Sequence, residues 1–272
     1  VTTTSNQNEV PESLLSLFER TAALRQQYLA ATPWPHVVVH NAFPDSLLDE
    51  AAEECARVEG TFVSTTNHHR QIKEEASDGL GPSTRRVLEL VDSQIFRDFL
   101  SAVTGVQELY ADPAHRLAGI HRTRRDGFSK IHRDFRIHPT NGMVHRLNVL
   151  VYLNRDWPGE YGGNLEMWPK DMSALGRSVA PLFNTMVFWE SDARTLHGLP
   201  DPVTCPPDRM RLSIAAYFYT KPDKAGRVEK IVHYYSRPGE DHAIVLHSVA
   251  DRLRLLVPKR VVSLTKLVRH RS

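Results

Sequence analysis

The stretch Arg146-Leu-Asn-Val-Leu-Val-Tyr-Leu-Asn154 alternates aliphatic residues with polar or aromatic ones. Successive side chains of an extended chain point to opposite faces. Arg146, Asn148, Leu150 and Tyr152 therefore share one face, and Leu147, Val149, Val151 and Leu153 the other. The same texture fills the second half of the chain. Short β-type segments at His115–Arg122, Phe128–Phe135, His145–Asn154, Asn164–Trp168, Thr185–Trp189 and Arg211–Thr220 are separated by Pro, Gly and Asn. Strands of this kind after a helical lead-in predict helices packed on an all-β sandwich or barrel, and the absence of a repeat argues against a propeller or solenoid.

In the lead-in, residues 1–10 are polar and aperiodic and read as a flexible tail. From Pro11 to Ala31, Leu14, Leu17, Phe18, Ala22, Leu24 and Leu29 recur at helical spacing until Pro33 and Pro35, which predicts one amphipathic helix. A β-branched run follows at His36–His40, then a second helix over Asp45–Val58. The polar stretch Ser64–Pro82, with His68 and His69, reads as an exposed loop or lid. Arg85–Val103 is again helical in period, and Gly105 ends it. The expected organisation is a tail (1–10), a helical support region (11–112), a β core (113–220) and a C-terminal extension (221–272).

Composition narrows the class. Of 272 residues, 41% are hydrophobic and 24% charged, with a net charge of +2, which excludes disordered, collagen-like and fibrous chains. No run approaches the roughly 18 apolar residues of a membrane span. The first residues lack the basic and apolar regions of a secretory leader. Two cysteines, Cys55 and Cys205, make no disulfide framework and fit a reducing, cytoplasmic setting. The last 21 residues, Arg252–Ser272, carry seven Lys or Arg and no acid, which leaves −5 on the first 251. Leu253, Leu256, Leu264, Leu267 and Val268 interleave with those charges, a pattern able to dock on an anionic membrane or nucleic acid. Pro258 interrupts it, and a helix capping the barrel is the plainer reading, so there is no firm nucleic-acid or membrane signal. Oligomeric state has no signature in the sequence.

The 14 histidines direct attention to metal or proton chemistry. His132-Arg133-Asp134 places an imidazole and a carboxylate on one face of a strand, able to bind one ion together. With 14 His and 16 Asp, about one such triplet arises by chance, so context decides. His197, 63 residues beyond Asp134 in a Gly- and Pro-rich turn, is the best third ligand. Two imidazoles and one carboxylate on one face of a metal leave the opposite positions open, as in non-haem Fe(II) oxygenases. Arg211 lies 14 residues further on, sharing a strand face with Ser213. Its guanidinium can hold a carboxylate through two parallel charge-assisted bonds, the Ser213 hydroxyl can add a third, and Tyr152 can reach the same group. Arg209 competes for the anchor role. His121, His138 and His145 flank the site, with His121 and Arg122 the most promising as supporting or substrate groups. Trp168 and Trp189 read as core.

Taken together, His132-x-Asp134, Arg146 through Asn154, Trp157, Gly162-Gly163-Asn-Leu-Glu-Met-Trp168, Val187-Phe-Trp-Glu-Ser-Asp192, His197 and Arg211-x-Ser213 resemble the prolyl 4-hydroxylase-like branch of the Fe(II)/2-oxoglutarate-dependent dioxygenases. Trp34-Pro-His-Val-Val-Val-His-Asn-Ala-Phe-Pro44 is similar to that branch's lead into the domain, and the likeness spans about Trp34 to Thr220. The resemblance implies an α+β fold with a double-stranded β-helix (jelly-roll, cupin-like) core and N-terminal helices packed on its major sheet. It implies iron ligands at His132, Asp134 and His197. It also implies a 2-oxoglutarate carboxylate held by Arg211, with Tyr152 and Ser213, and O2 as oxidant with ascorbate as reductant. The reaction implied is hydroxylation of an unactivated C–H bond with release of succinate and CO2. Collagen-type members carry Lys where Arg211 stands. Halogenating members carry a small residue in place of the carboxylate, so Asp134 argues for hydroxylation. The substrate implied is a prolyl residue, but peptidyl intermediates, free amino acids or sugar-containing metabolites use the same core with different lids. Specificity is expected in Ser64–Pro82 and after Thr220. The readings of another class are a zinc site, which leaves the Arg211 anchor without purpose, and a non-catalytic cupin-like metal-binding jelly roll.

Overall fold

A computed structural model describes residues 10–58, 63–67, 71–115, 118–138, 140–222 and 232–240, over 63–67 for the backbone alone. The tail, His68 and His69, and the basic stretch Arg252–Ser272 lie outside the described residues. Val1–Pro238 form one compact unit. No helix among the described residues is long and apolar enough to cross a membrane.

The helical lead-in is more broken than its periodicity suggests. Two helices, α1 (Glu12–Glu19) and α2 (Thr21–Ala30), stand where one was expected, with the chain turning at Arg20. Each inserts two side chains into the core, Leu14 and Leu17 from α1, Leu24 and Tyr28 from α2. After strand β1 (His36–His40) comes α3 (Asp45–Arg57), close to expectation. Two strands follow, β2 (Val63–Asn67) and β3 (Gln71–Ala76), then α4 (Pro82–Asp92) and α5 (Gln94–Thr104). The long helix predicted over 85–103 is thus also two, because Ser93 adopts extended backbone and its hydroxyl caps the amide of Phe96.

The remaining strands are β4 (Tyr110–Ala111), β5 (Gly119–Arg124), β6 (Phe128–Arg133), β7 (Val144–Tyr152), β8 (Leu165–Trp168), β9 (Arg177–Val179), β10 (Thr185–Glu190), β11 (Leu196–Leu199), β12 (Met210–Thr220) and β13 (His233–Tyr234). They form one curled antiparallel sheet in the order β1-β10-β7-β12-β5-β3-β6-β11-β8-β9, with β13 on β6, β2 on β3 and β4 on β12. This is the double-stranded β-helix expected from the sequence.

Alternation along the central strands separates two interiors. Leu147, Val149 and Val151 of β7, Leu212, Ile214, Ala216 and Phe218 of β12, and Met186 and Phe188 of β10 face the helices and share one apolar core with them. Burying each of these side chains larger than alanine is worth roughly 1.5–3 kcal/mol. The opposite faces look into the curl, where Trp34, Tyr152, Leu165, Met167, Val187 and Trp189 make a second cluster.

Ser64–Pro82 is not an exposed loop or lid. It contains the β2–β3 hairpin, in which β2 pairs along one edge of β3, while the other edge pairs with β6 at Gln71–Ile72 and with β5 at Glu74–Ala76. Its sequence, Gln-Ile-Lys-Glu-Glu-Ala, hid the strand because both faces are polar. Outward, Glu74 pairs with Arg122 and Arg124 at 2.7 and 3.3 Å. Inward, Gln71, Lys73 and Glu75 line a cavity.

Candidate active site

His132 and Asp134 come from the end of β6 and the residue beyond it. His197 comes from the adjacent strand β11, directly opposite His132 in the ladder. The turn assigned to His197 from its Gly and Pro neighbours is therefore a strand, and the glycine makes it possible. A Cβ on Gly198 would stand 2.7 Å from the Ser129 carbonyl oxygen and 2.8 Å from that of Lys130, so only glycine lets β11 approach β6 this closely.

Among the described residues, His132, Asp134 and His197 are the only group able to hold a metal ion, with their ligand atoms within 4.8 Å of one another. His132 Nε2 lies 3.5 Å from Asp134 Oδ1 and His197 Nε2 3.6 Å from Asp134 Oδ2. Adjacent ligands with bonds of roughly 2.1 Å stand about 3 Å apart, so a small inward shift suffices. Each imidazole is oriented for the task. His132 Nδ1 donates to the Lys130 carbonyl at 2.8 Å and His197 Nδ1 to that of Thr195 at 3.1 Å, which leaves both Nε2 lone pairs facing the carboxylate. The Asn148 amide donates to Asp134 Oδ2 at 2.8 Å.

The electrostatics agree. Burial lowers His197 to about 4, against the pull of Asp134, so the ring is neutral at ordinary pH. Burial also pushes Asp134 upward, but His197 and His132 beside it more than offset this and hold it well below the usual carboxylate range. A neutral imidazole and an ionised carboxylate are the forms that bind a divalent cation.

The same cavity, of about 180 Å³, extends to Arg211. This guanidinium is 3% exposed. It donates from Nε to the Gly163 carbonyl at 2.7 Å and lies 4.9 Å from the centre of the Tyr152 ring. It has no carboxylate partner among the described residues. Ser213 and Tyr152 are cross-strand neighbours, and both hydroxyls are buried without a hydrogen-bond partner. Burial raises Tyr152, against the charge of Arg211, so the phenol keeps its proton. A buried cation beside two unsatisfied hydroxyls is costly unless an anion with several acceptor oxygens completes it. Arg209, the sequence competitor, sits elsewhere, donating to the Arg155 and Asp156 carbonyls over the Trp157 ring.

Of the flanking histidines, His121 lines the cavity opposite Glu75, whereas its neighbour Arg122 turns to the other face. His138 contacts Asp112, and His145 stacks on Phe135 at 5.0 Å; neither lines the cavity. Trp168 is core, but Trp189 is both core and cavity wall, its ring 4.8 Å from that of His197. Sequence reading missed Asn148, Gly163, Lys73, Glu75 and Tyr234. Asn148 shares the face that carries Tyr152, a signal that was present, whereas Tyr234 reaches the site on β13 with no local pattern to mark it.

The sequence pattern of the 2OG-Fe(II) oxygenase superfamily matches residues 118–219, which holds every one of these candidate ligands. No curated protein matches the chain. Among solved structures it is similar to a prolyl hydroxylase from Trichoplax adhaerens in complex with a hypoxia inducible factor oxygen degradation domain peptide fragment. That likeness has TM-score 0.58 and 15% identity, covering 79% of this chain and 96% of that one. A Pseudomonas putida prolyl-4-hydroxylase is similar at TM-score 0.55 and 16% identity, covering 74% of this chain and all of that one, 100%. At such identities the likeness is one of fold, and the fold is that of the prolyl 4-hydroxylase-like branch. Residues 118–219 thus carry the pattern of the 2OG-Fe(II) oxygenase superfamily. The match makes the chain a 2-oxoglutarate-dependent dioxygenase, using Fe(II), 2-oxoglutarate and O2.

Proposed function

We propose that His132, Asp134 and His197 ligate the iron, that Arg211 with Tyr152 and Ser213 binds the distal carboxylate of 2-oxoglutarate, and that the enzyme hydroxylates an unactivated C–H bond of an amino-acid-derived substrate, a prolyl residue being the nearest family precedent. The observation that carries this reading is the buried guanidinium of Arg211, without a carboxylate partner among the described residues, opening on the same cavity as the His-Asp-His cluster. When bound, iron and 2-oxoglutarate together activate O2, with succinate and CO2 as coproducts.

The chain's own residues bind, orient and exclude. The Arg211 fork and the two hydroxyls satisfy a carboxylate's acceptor sites, so 2-oxoglutarate enters in one direction. Asn148 holds the Asp134 carboxylate in plane. Leu150, Leu165 and Trp189 wall the space between the anchor and the histidines and keep water away from it. Ascorbate would be the reductant for an iron held by His132, Asp134 and His197. The two cysteines, both free and buried, suit a cytoplasmic, reducing setting.

Adding Fe(II) and 2-oxoglutarate without oxygen should produce a visible charge-transfer band in the wild type. Arg211→Ala should require far more 2-oxoglutarate to reach the same band. An unchanged titration would refute the anchor, and no band in the wild type would refute the function.

A further inference from the structure

One wall of the cavity is left unused by the iron and 2-oxoglutarate assignments. Lys73 and Glu75, two residues apart on β3, share its inner face, and His121 stands across the ladder from Glu75. Lys73 Nζ lies 2.6 Å from Glu75 Oε1, and His121 Nε2 lies 3.4 Å from the same oxygen. Glu75 Oε2 takes no partner among the described residues. The side chains are nearly sealed, at 18% exposure for Lys73, 14% for Glu75 and 12% for His121. Burial raises Glu75, but Lys73 and His121 outweigh it and keep the carboxylate ionised.

A buried ion pair contributes little to stability over an apolar replacement of the same volume. Set in the wall of a reaction cavity, its effect falls on what enters. A hydrocarbon against this wall would strip water from both charges and return nothing. The second carboxylate oxygen and the remaining ammonium hydrogens instead offer an acceptor and a donor side by side. Phe135, Tyr217, Val232 and Tyr234 supply the cavity's apolar lining, suited to a saturated side chain.

We propose that the Lys73–Glu75 pair, supported by His121, is the substrate-recognising wall and reads the main chain of an amino-acid unit, a carboxyl-derived oxygen at Lys73 and an amine- or amide-derived N–H at Glu75. This rests on the function proposed above. The pair is fixed in direction, so the ligand's polar groups must be fixed the opposite way, which orients the side chain toward His132 and His197. Free amino acids and peptides share this chemistry, whereas sugars and fatty acids lack it.

The test uses the 272-residue chain with Fe(II) and 2-oxoglutarate. Stimulated succinate release is measured with free L-amino acids, with acetylated and amidated oligopeptides, and with monosaccharides and fatty acids. A response to amino acids alone identifies the ammonium–carboxylate form, and a response to peptides alone the amide form. For the responding compound, Lys73→Met and Glu75→Gln should each raise KM by about tenfold or more, the loss of one charged hydrogen bond. The exchange Lys73→Glu with Glu75→Lys restores an ion pair and tolerates folding, yet reverses the poles, so KM should stay high. Recovery of the wild-type KM in the exchanged protein would show a purely structural pair and overturn the proposal. A response to sugars or fatty acids only, or to nothing in the panel, would overturn it as well. Absence of the 2-oxoglutarate band in the wild type would instead defeat the underlying function, so the two failures are distinguishable.

Discussion

Gly163 holds Arg211 through its carbonyl, with the guanidinium Nε donating at 2.7 Å in a buried bond. Arg has five N–H donors, and this contact uses the one nearest the aliphatic stem, leaving the end of the fork for a carboxylate. Gly163 also makes the contact sterically feasible. Its φ is +74°, and a Cβ there would stand 2.9 Å from Arg211 Cδ and 3.4 Å from Nε. Gly163 thus positions the Arg211 side chain as well as leading into β8.

The first prediction follows from that geometry. Gly163→Ala should rotate or displace the Arg211 fork and weaken 2-oxoglutarate binding by about tenfold or more, the worth of a misaligned charge-assisted bond. Iron affinity should hardly move, because no residue of the proposed iron site is touched. Titration of 2-oxoglutarate followed by intrinsic tryptophan fluorescence, beside a separate Fe(II) titration, checks both. Equal losses of the two affinities would point to general misfolding.

Asn148 supports the other half of the site by its hydrogen bond to Asp134 Oδ2. Asn148→Ala frees that carboxylate to rotate, and loss of such an outer partner typically costs roughly 10–100-fold in metal affinity. His132→Ala and Asp134→Ala should abolish succinate formation altogether. A metal-binding isotherm for Asn148→Ala that overlays the wild type would remove Asn148 from this role.

How much of this was readable beforehand depends on whether a residue's job shows in its own neighbourhood. The aliphatic alternation of β7 and β12 announced both the strands and the faces on which Tyr152, Arg211 and Ser213 lie, because the helix-covered side must be apolar. The β3 strand was hidden for the converse reason. Its inner face touches a polar cavity and its outer face the arginines Arg122 and Arg124, so no apolar period survives. Arg20 and Ser93 broke two predicted helices without breaking the apolar spacing, since short consecutive helices keep nearly the same buried face. In β11, Leu-His-Gly-Leu looked like a turn. Gly198 was placed there by the closeness of β6, which only the tertiary structure reveals.

A stability prediction concerns Glu54 of α3, whose carboxylate caps α4. It accepts the amides of Ser83 at 2.9 Å and Thr84 at 2.7 Å, and the Thr84 hydroxyl at 2.8 Å. Glu54→Ala should cost about 1 kcal/mol, as for a lost helix cap. Burial raises the Glu54 pKa, but those hydrogen bonds outweigh it and hold the group below its ordinary value in the folded chain. A depressed carboxylate contributes stability above its unfolded pKa and loses it as pH falls through the folded one. The difference in unfolding free energy between wild type and Glu54→Ala should therefore be constant near neutrality and shrink on acidification. Denaturant melts across that range decide it, and a gap that widens toward acid would contradict the capping role.

Asn154, the last residue of the Arg146–Asn154 stretch, couples stability to the proposed anchor. Its amide donates to the carbonyls of Pro181 at 2.7 Å and Leu212 at 3.0 Å, and its oxygen accepts the Leu212 amide at 2.7 Å. Both Leu212 backbone groups thus end on one side chain, immediately beside Arg211. Asn154→Ala leaves the Pro181 carbonyl and the Leu212 amide without this partner, at roughly 1–3 kcal/mol each before water or relaxation recovers part of it, while the Leu212 carbonyl keeps the Leu153 amide at 3.2 Å. The folded fraction that remains should bind 2-oxoglutarate more weakly, because the start of β12 is held to the end of β7 by fewer bonds, the Leu153 amide to the Leu212 carbonyl and the ladder beyond it. Asn154→Asp separates the two effects. It keeps the acceptor for Leu212 N but loses both donors and adds a buried charge, so it should destabilise at least as much at neutral pH and recover partly when acid protonates the carboxylate. Thermal melts read the first effect and 2-oxoglutarate titration of the folded protein the second. A destabilised Asn154→Ala with wild-type 2-oxoglutarate affinity would show that Arg211 is positioned by Gly163 alone.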